Sequence, residues 1–380
     1  MSCAFLYTEL GFFPKKTSKF SNGELYDSLC FASENNAEKG VQIKEQRYGC
    51  QNPSGEDTAM TFLKLLAVSI LPVFCSIRPA QAVGPSANQI KNLVTFGDSY
   101  TDVVVTGDGG TAWPVFAARD GPFNLFPFAR SGATCSNNLT LVPFPSVFES
   151  QLPLYFSEVA NKSIRLNPEE TVYTLWIGTN DVGGSTQLTG KQTKGVTIVD
   201  TVACAVNWVK VLYQSGARNF LFQNMIPLDH TILYSADSYP NRYWTADRNT
   251  TEWNVFMAEL VGAGNELQKL MLQNLVPTLH GAHVGLFDSH ALFSDMIAHP
   301  QLYLNGTAPV NTTGAIRACV FQLHESTSDT GDCTIATGSD VDSFLWFDEL
   351  HPSEQADRIV AREVTAAIRR TSSRWVTWFS

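Results

Sequence analysis

Beyond residue 83, short apolar segments alternate with longer amphipathic ones, and this alternation limits the possible folds more than any other feature of the sequence. Runs rich in β-branched and aromatic residues predict strands at residues 92–97, 171–177, 219–224 and 283–287. Helical spacing predicts helices at residues 196–214, 252–275 and 352–369. Strands that alternate with helices form a parallel sheet covered on both faces. We therefore predict an α/β fold, a three-layer α/β/α sandwich with a central parallel sheet, whose ligands bind beyond the carboxyl ends of the strands.

Composition limits the kinds of partner. The 380 residues are 44% hydrophobic and 16% charged, which is enough apolar material for one large core. The formal net charge of -10 argues against nucleic acid, because that partner requires clustered Lys and Arg to neutralise phosphates. Residues 83–380 contain no repeat, low-complexity block or linker, so we expect them to form one domain.

Residues 60–82, MTFLKLLAVSILPVFCSIRPAQA, have the layout of a cleaved secretory signal. A basic start at Lys64 precedes an apolar run, and the segment ends in small residues at Ala80 and Ala82. A membrane anchor is the alternative, but the apolar run is shorter than the roughly 20 residues that a spanning helix needs. We expect cleavage after Ala82 and no stable membrane partner.

Residues 1–59 are polar and without pattern, although a signal peptide normally begins at the N-terminus. We interpret them as an unstructured or wrongly assigned extension, with Met60 as the true initiator. A cytosolic tail before a signal anchor is the alternative.

Two features beyond the predicted cleavage point also favour secretion. Five Asn-x-Ser/Thr acceptors for glycosylation follow it and none precedes it, namely Asn138, Asn161, Asn249, Asn305 and Asn311. Four cysteines also follow it, an even number that allows three disulfide pairings in an oxidising compartment: Cys135, Cys204, Cys319 and Cys333. We favour Cys319 with Cys333, which would close a loop rich in Thr, Ser, Asp and Gly.

A candidate nucleophile follows the first predicted strand. Ser99 comes directly after a strand and a Gly-Asp turn, so its hydroxyl stands at the open edge of the sheet, where it can meet a substrate carbonyl. The surrounding residues do not form the G-x-S-x-G elbow, because Thr101 replaces the second glycine. Taken alone, Ser99 could equally be a helix cap.

A candidate base and its partner lie far downstream. A nucleophilic serine needs a base to take its proton and a group to orient that base, and His351 with Asp348 three residues earlier supplies both. Pro352 biases His351 away from helical dihedrals and suits the first turn of a following helix. An incidental surface D-x-x-H would be the alternative if this pair stood alone.

Two loops between these motifs could donate hydrogen bonds to an oxyanion. Gly132 lies in Arg-Ser-Gly-Ala-Thr, where its N–H can approach a substrate closely, and Asn180 follows a strand and offers its side-chain amide. Both loops could instead be ordinary turns.

The ordered blocks TFGDSYTD, FARSGATC, WIGTND and FDELHPSEQ resemble those of the SGNH (GDSL-type) hydrolase superfamily, and within it the fungal acetylesterases of carbohydrate esterase family 16. The resemblance spans residues 95–355 and implies a flavodoxin-like fold and an acetylesterase that acts on xylan-derived and related oligosaccharides without a cofactor. It also implies Ser99 as nucleophile, His351 as base and then acid, and Asp348 as its orienting partner. By the same resemblance, the oxyanion hole comprises the Ser99 N–H, the Gly132 N–H and the Asn180 side chain.

Two other functions remain open. A GDSL lipase or acylhydrolase for longer-chain esters would use the same catalytic residues, and an inactive carbohydrate-binding protein could share the fold. A zinc site at His280, His283 and His290 is disfavoured, because no Cys or carboxylate completes a ligand pattern.

Overall fold

The computed structural model describes residues 84–329 and 331–380, and these form a central sheet with helices on both faces. The strands are β1 (Asn92–Gly97), β2 (Asn124–Pro127), β3 (Thr171–Trp176), β4 (Asn219–Gln223), β5 (His283–Phe287), β6 (Asn311–Ala315), β7 (Arg317–Val320), β8 (Asp332–Ile335), β9 (Phe344–Trp346) and β10 (Val376–Trp378). The α-helices are α1 (Trp113–Asp120), α2 (Asn137–Thr140), α3 (Leu152–Ala160), α4 (Thr179–Val182), α5 (Ile198–Gln214), α6 (Thr250–Leu275), α7 (Ser289–Ala298) and α8 (Glu354–Arg369).

Six strands form the main sheet in the order β2-β1-β3-β4-β5-β10. The first five are parallel, and β10 pairs antiparallel with β5 at the edge. The predicted three-layer α/β/α sandwich is therefore confirmed, with the doubly wound 2-1-3-4-5 order of flavodoxin-like folds. In this order the chain changes direction across the sheet between β1 and β3, and ligands of such folds bind beyond the carboxyl ends of strands at this point.

Two cores lie on opposite faces of this sheet. Side chains alternate along each strand, so that Leu93 of β1 packs into one core and Val94 into the other. The first core includes buried side chains of α1, α7 and α8, and the second includes buried side chains of α3 and α5. This burial fixes the register of the strands and hence the positions of the loops at their ends.

Outside the main sheet, β6 pairs with β9 and β7 pairs antiparallel with β8. Disulfides join Cys135 to Cys204 and Cys319 to Cys333, and the second, which links β7 to β8, is the predicted pair. Four of the five glycosylation acceptors are exposed, while Asn311 is half-buried.

The predicted extension at residues 1–59 and the predicted signal at residues 60–82 lie outside the described residues. Among residues 84–329 and 331–380, no helix is both long and apolar enough to cross a membrane.

Candidate active site

Ser99 lies in the turn that follows β1, at the carboxyl edge of the sheet. The carbonyl of Asp98 accepts the N–H groups of Thr101 and Asp102, both at 3.0 Å, and this tight turn holds Ser99 just beyond the strand. Ser99 is 7% exposed. The serine therefore lies at the point in the sheet where this fold binds its ligands.

His351 and Asp348 come from the loop between β9 and α8. The Oγ of Ser99 lies 2.8 Å from Nε2 of His351. On the other side of the ring, Nδ1 lies 3.0 and 3.2 Å from the two carboxylate oxygens of Asp348. The structure thus brings the three predicted residues into one hydrogen-bonded chain. Helix α8 begins at Glu354 with Ser353 as its N-cap, so Pro352 precedes the helix rather than lying in its first turn as predicted.

Backbone and side-chain donors hold Asp348 in place. Its Oδ1 accepts the N–H groups of Leu350 at 2.9 Å and His351 at 2.8 Å. Burial alone would raise the pKa of Asp348, but His351, the Tyr243 hydroxyl and these donors outweigh burial and lower the pKa below its usual value. Asp348 is therefore an anion beside the His351 ring.

Sequence reasoning missed Tyr243, which joins the acid to the base. Its hydroxyl donates to Oδ2 of Asp348 at 2.5 Å and lies 3.0 Å from Nδ1 of His351. Burial first, and then the charge of Asp348, raise the pKa of Tyr243 well above its usual value, so the hydroxyl keeps its proton. Since this oxygen donates to Asp348, it can accept only from Nδ1–H, which assigns the ring tautomer and leaves Nε2 free to accept from Ser99. Arg242, also missed, has its guanidinium 3.8 Å from Oδ2 of Asp348.

The residues predicted to supply oxyanion donors, Ser99, Gly132 and Asn180, line one cavity. Gly132 has a φ of +75°, and a Cβ at this position would lie 2.6 Å from the ring of Phe144. Nδ2 of Asn180 donates to the carbonyl of Ala133 at 2.9 Å, which leaves its second N–H for another acceptor. Among the described residues, no acceptor contacts the backbone N–H of Ser99 or of Gly132. The N–H groups of Ser99 and Gly132 thus have no acceptor among the described residues, and Asn180 has one further N–H to donate.

A cavity of about 490 Å³ is lined by Ser99, His351, Gly132 and Asn180. Its lining also includes the aromatic side chains Tyr234, Tyr243, Trp244 and Trp253 and the apolar side chains Val105, Val142 and Phe144. Trp244 and Trp253 pack edge to face with their ring centres 4.9 Å apart. A cavity of this size can hold a small organic ester.

Two buried carboxyl groups lie near the site. Burial raises the pKa of Asp98 to about 7. Burial, together with the charge of Asp98, also raises the pKa of Asp181 to about 7, although both oxygens of Asp181 lie 3.1 Å from the N–H of Cys135. Among the described residues, no three His, Cys, Asp or Glu side chains are grouped so as to hold a metal ion.

Comparison with known proteins identifies the family. The model of the GDSL-like lipase/acylhydrolase family matches residues 93–364. An acetylesterase of Hypocrea jecorina is 28% identical over 82% of this chain and 99% of its own. An acetylesterase of Thermothelomyces thermophilus is 26% identical over 80% of this chain and 97% of its own. The chain therefore belongs to the GDSL-like lipase/acylhydrolase family and is a carboxylic ester hydrolase.

Proposed function

We propose that the protein is a secreted acetylesterase that removes acetyl groups from acetylated oligosaccharides derived from hemicellulose. The observation that carries this proposal is the hydrogen-bonded chain from Ser99 through His351 to Asp348, which opens on a cavity that also holds Gly132 and Asn180. The proposed preference for acetyl esters is supported by the two relatives named acetylesterase, which match this chain over most of their length.

The proposed mechanism is acyl transfer in two steps. Oγ of Ser99 attacks the acetyl carbonyl carbon while Nε2 of His351 takes the serine proton, and Asp348 stabilises the resulting imidazolium. The charge that develops on the carbonyl oxygen is received by the N–H groups of Ser99, Gly132 and Asn180. Collapse of this intermediate breaks the bond to the sugar oxygen, which leaves as the alcohol with the proton from His351.

Water completes the cycle. His351 takes a proton from a water molecule, the hydroxide attacks the acetyl-serine carbonyl, and the same donors receive the second oxyanion. The intermediate then releases acetic acid, and the proton returns from His351 to Oγ of Ser99. All atoms balance with water as the only co-reactant.

The aromatic wall of the cavity supports a carbohydrate as the alcohol part of the ester. Tyr243, Trp244 and Trp253 line the same cavity as Ser99, and aromatic rings suit the C–H faces of a sugar ring. Polar groups in the lining of the cavity can orient the hydroxyl groups of the sugar.

An acylhydrolase for longer chains is the second candidate, and one observation favours it. Val105 and Phe144 line the cavity but remain 61% and 50% exposed, so the rim offers apolar surface to an extended acyl chain. Rates on p-nitrophenyl esters from acetate to octanoate distinguish the two. A sharp preference for acetate supports the acetylesterase, and a preference for octanoate overturns it in favour of the longer-chain enzyme.

An inactive carbohydrate-binding protein is the third candidate, and the complete Ser99, His351 and Asp348 set argues against it. A fluorophosphonate labels an activated serine covalently. We expect labelling of the protein and none of Ser99→Ala, whereas absence of labelling in both would favour the binding protein.

Secretion is proposed on three grounds: the signal-like segment before Val83, two disulfides and exposed glycosylation acceptors. N-terminal sequencing of protein secreted from a eukaryotic host tests it. We expect a new N-terminus at Val83, and an N-terminus upstream of Met60 would contradict both the cleavage site and the proposed initiator.

A further inference from the structure

Residues 107–111 form a glycine-rich loop that lies against the segment carrying His351. Gly107 packs on the imidazole ring so closely that any Cβ there would overlap the ring carbon Cδ2. A Cβ on Gly109 would likewise overlap the ring of Phe347. The loop therefore closes one side of the His351 ring with its backbone, because glycine has no side chain to come between them.

Two hydrogen bonds tie this loop down. The N–H of Thr111 donates to Oε2 of Glu354 on α8 at 2.9 Å. The N–H of Gly110 donates to Oδ1 of Asp108 at 3.1 Å, which fixes the Asp108 side chain relative to its own loop. The remaining carboxyl oxygen of Asp108, Oδ2, accepts no hydrogen bond from the described residues of the loop.

That oxygen belongs to a buried pair of carboxyl groups. Asp108 and Asp357 of α8 are 5% and 2% exposed, and their carboxyl groups lie close enough for the charge of Asp108 to act on Asp357. Within the described residues, Oδ2 of Asp108 and Oδ1 of Asp357 have no hydrogen-bond partner. Two ionised carboxylates in contact would repel strongly at such depth, whereas one shared proton satisfies both oxygens.

We propose that Asp108 is a positioning residue, which shares one proton with Asp357 and thereby holds the 107–111 loop against the His351 ring. The proposal rests on the proposed function, in which His351 is the base. It assigns Asp108 no contact with substrate. Its effect on the reaction is to limit the positions that the His351 ring can take beside Ser99.

The surroundings of the pair favour the shared proton. Burial, followed by the charge of Asp108, raises the pKa of Asp357 well above its usual value; Glu354 raises it further, and Arg358 lowers it. On the other side of the loop lies His351. Folding raises the pKa of Asp357, so the pair contributes most to stability below the unfolded pKa of this group. That contribution is lost as the pH rises through the folded pKa.

A pH dependence follows for catalysis. When the pair loses its proton, the two carboxylates repel, the loop separates from α8, and the His351 ring loses its packing. We expect kcat to fall as the pH rises through the raised pKa of Asp357 while KM stays constant, since no group that contacts substrate has changed. Asn at position 108 would avoid this loss, because Oδ1 can still accept from Gly110 while Nδ2 donates to ionised Asp357.

The test compares Asp108→Asn, Gly107→Ala and the wild type, with Asp120→Asn on the exposed end of α1 as a matched control. Acetate release from triacetin in a pH-stat gives kcat and KM from about pH 6 to about pH 10. We expect Asp108→Asn to move the descending limb of kcat to higher pH, and Asp120→Asn to leave it in place. We expect Gly107→Ala to lower kcat about tenfold to a hundredfold at constant KM, as for an ångström-scale misplacement of a reacting group.

A descending limb of kcat in Asp108→Asn that coincides with the wild type would overturn the proposal, as would a wild-type kcat in Gly107→Ala. Ser99→Ala separates this failure from failure of the proposed function. If Ser99→Ala retains activity, the proposed mechanism is wrong; if it is inactive while Asp108→Asn behaves as wild type, only the positioning role is wrong.

Discussion

Replacing Asn180 with alanine removes one proposed oxyanion donor without altering Ser99, His351 or Asp348. The Asn180 amide is fixed because one of its N–H groups donates to the carbonyl of Ala133 at 2.9 Å. The second N–H is thus held ready for the developing charge, and its loss is felt in the transition state rather than in substrate binding.

The structure separates the expected effects on activity and stability. Loss of one oxyanion donor lowers kcat about a hundredfold to a thousandfold, which corresponds to about 2.7 to 4 kcal/mol. The variant also loses the bond to the Ala133 carbonyl, and a single hydrogen bond contributes about 0.5 to 1.5 kcal/mol to the free energy of unfolding. We therefore expect a folded protein whose Tm falls by only a few degrees.

Initial rates on p-nitrophenyl acetate and a thermal unfolding curve measure both quantities. Asn92→Ala is the matched control, since Asn92 opens β1 at the opposite edge of the sheet and donates from its side chain to Thr171 at 3.2 Å. We expect the control to lose similar stability at unchanged kcat. Unchanged kcat in Asn180→Ala would refute the assignment of its side chain to the oxyanion hole.

Three further predictions follow from the same site. Tyr243→Phe removes a donor to ionised Asp348, a bond that contributes about 1.5 to 3 kcal/mol, so kcat on p-nitrophenyl acetate should fall about tenfold to a hundredfold; wild-type kcat would show that Asp348 needs no such donor. Gly132→Ala should lower kcat at least about tenfold, since the alanine must adopt a left-handed φ and its Cβ must displace Phe144; an unaltered rate would place the oxyanion elsewhere. Asp348 stabilises the fold above its unfolded pKa of 3.8 and loses this effect as the pH falls through its lower folded pKa. Tyr243→Phe should therefore unfold at a higher pH than wild type during acid titration followed by circular dichroism, and coincident titrations would contradict this.

The predicted strands were those buried on both faces. β1, β3, β4 and β5 form continuous apolar runs, so their positions could be derived to within a residue. β2 was missed because it is a short, half-exposed edge strand that ends in proline. The strands from β6 to β10 were missed because they are short and only partly buried, so they form no continuous apolar run.

The site was predictable where a motif carries its chemistry. Ser99, Asp348 and His351 follow from the requirement for a nucleophile, a base and an orienting acid in strand-end loops. Tyr243 was not predictable, because it reaches Asp348 from an irregular segment that no periodicity describes. The glycines of residues 107–111 were visible, but only the structure shows that they lie against His351.

The most direct test of the central claim is acetate release from an acetylated xylo-oligosaccharide and from p-nitrophenyl acetate, by the protein that begins at Val83 and by its Ser99→Ala variant. The account predicts hydrolysis of both esters by the protein and of neither by the variant. Activity on p-nitrophenyl acetate alone would contradict the carbohydrate substrate, and activity that survives in Ser99→Ala would contradict the serine mechanism.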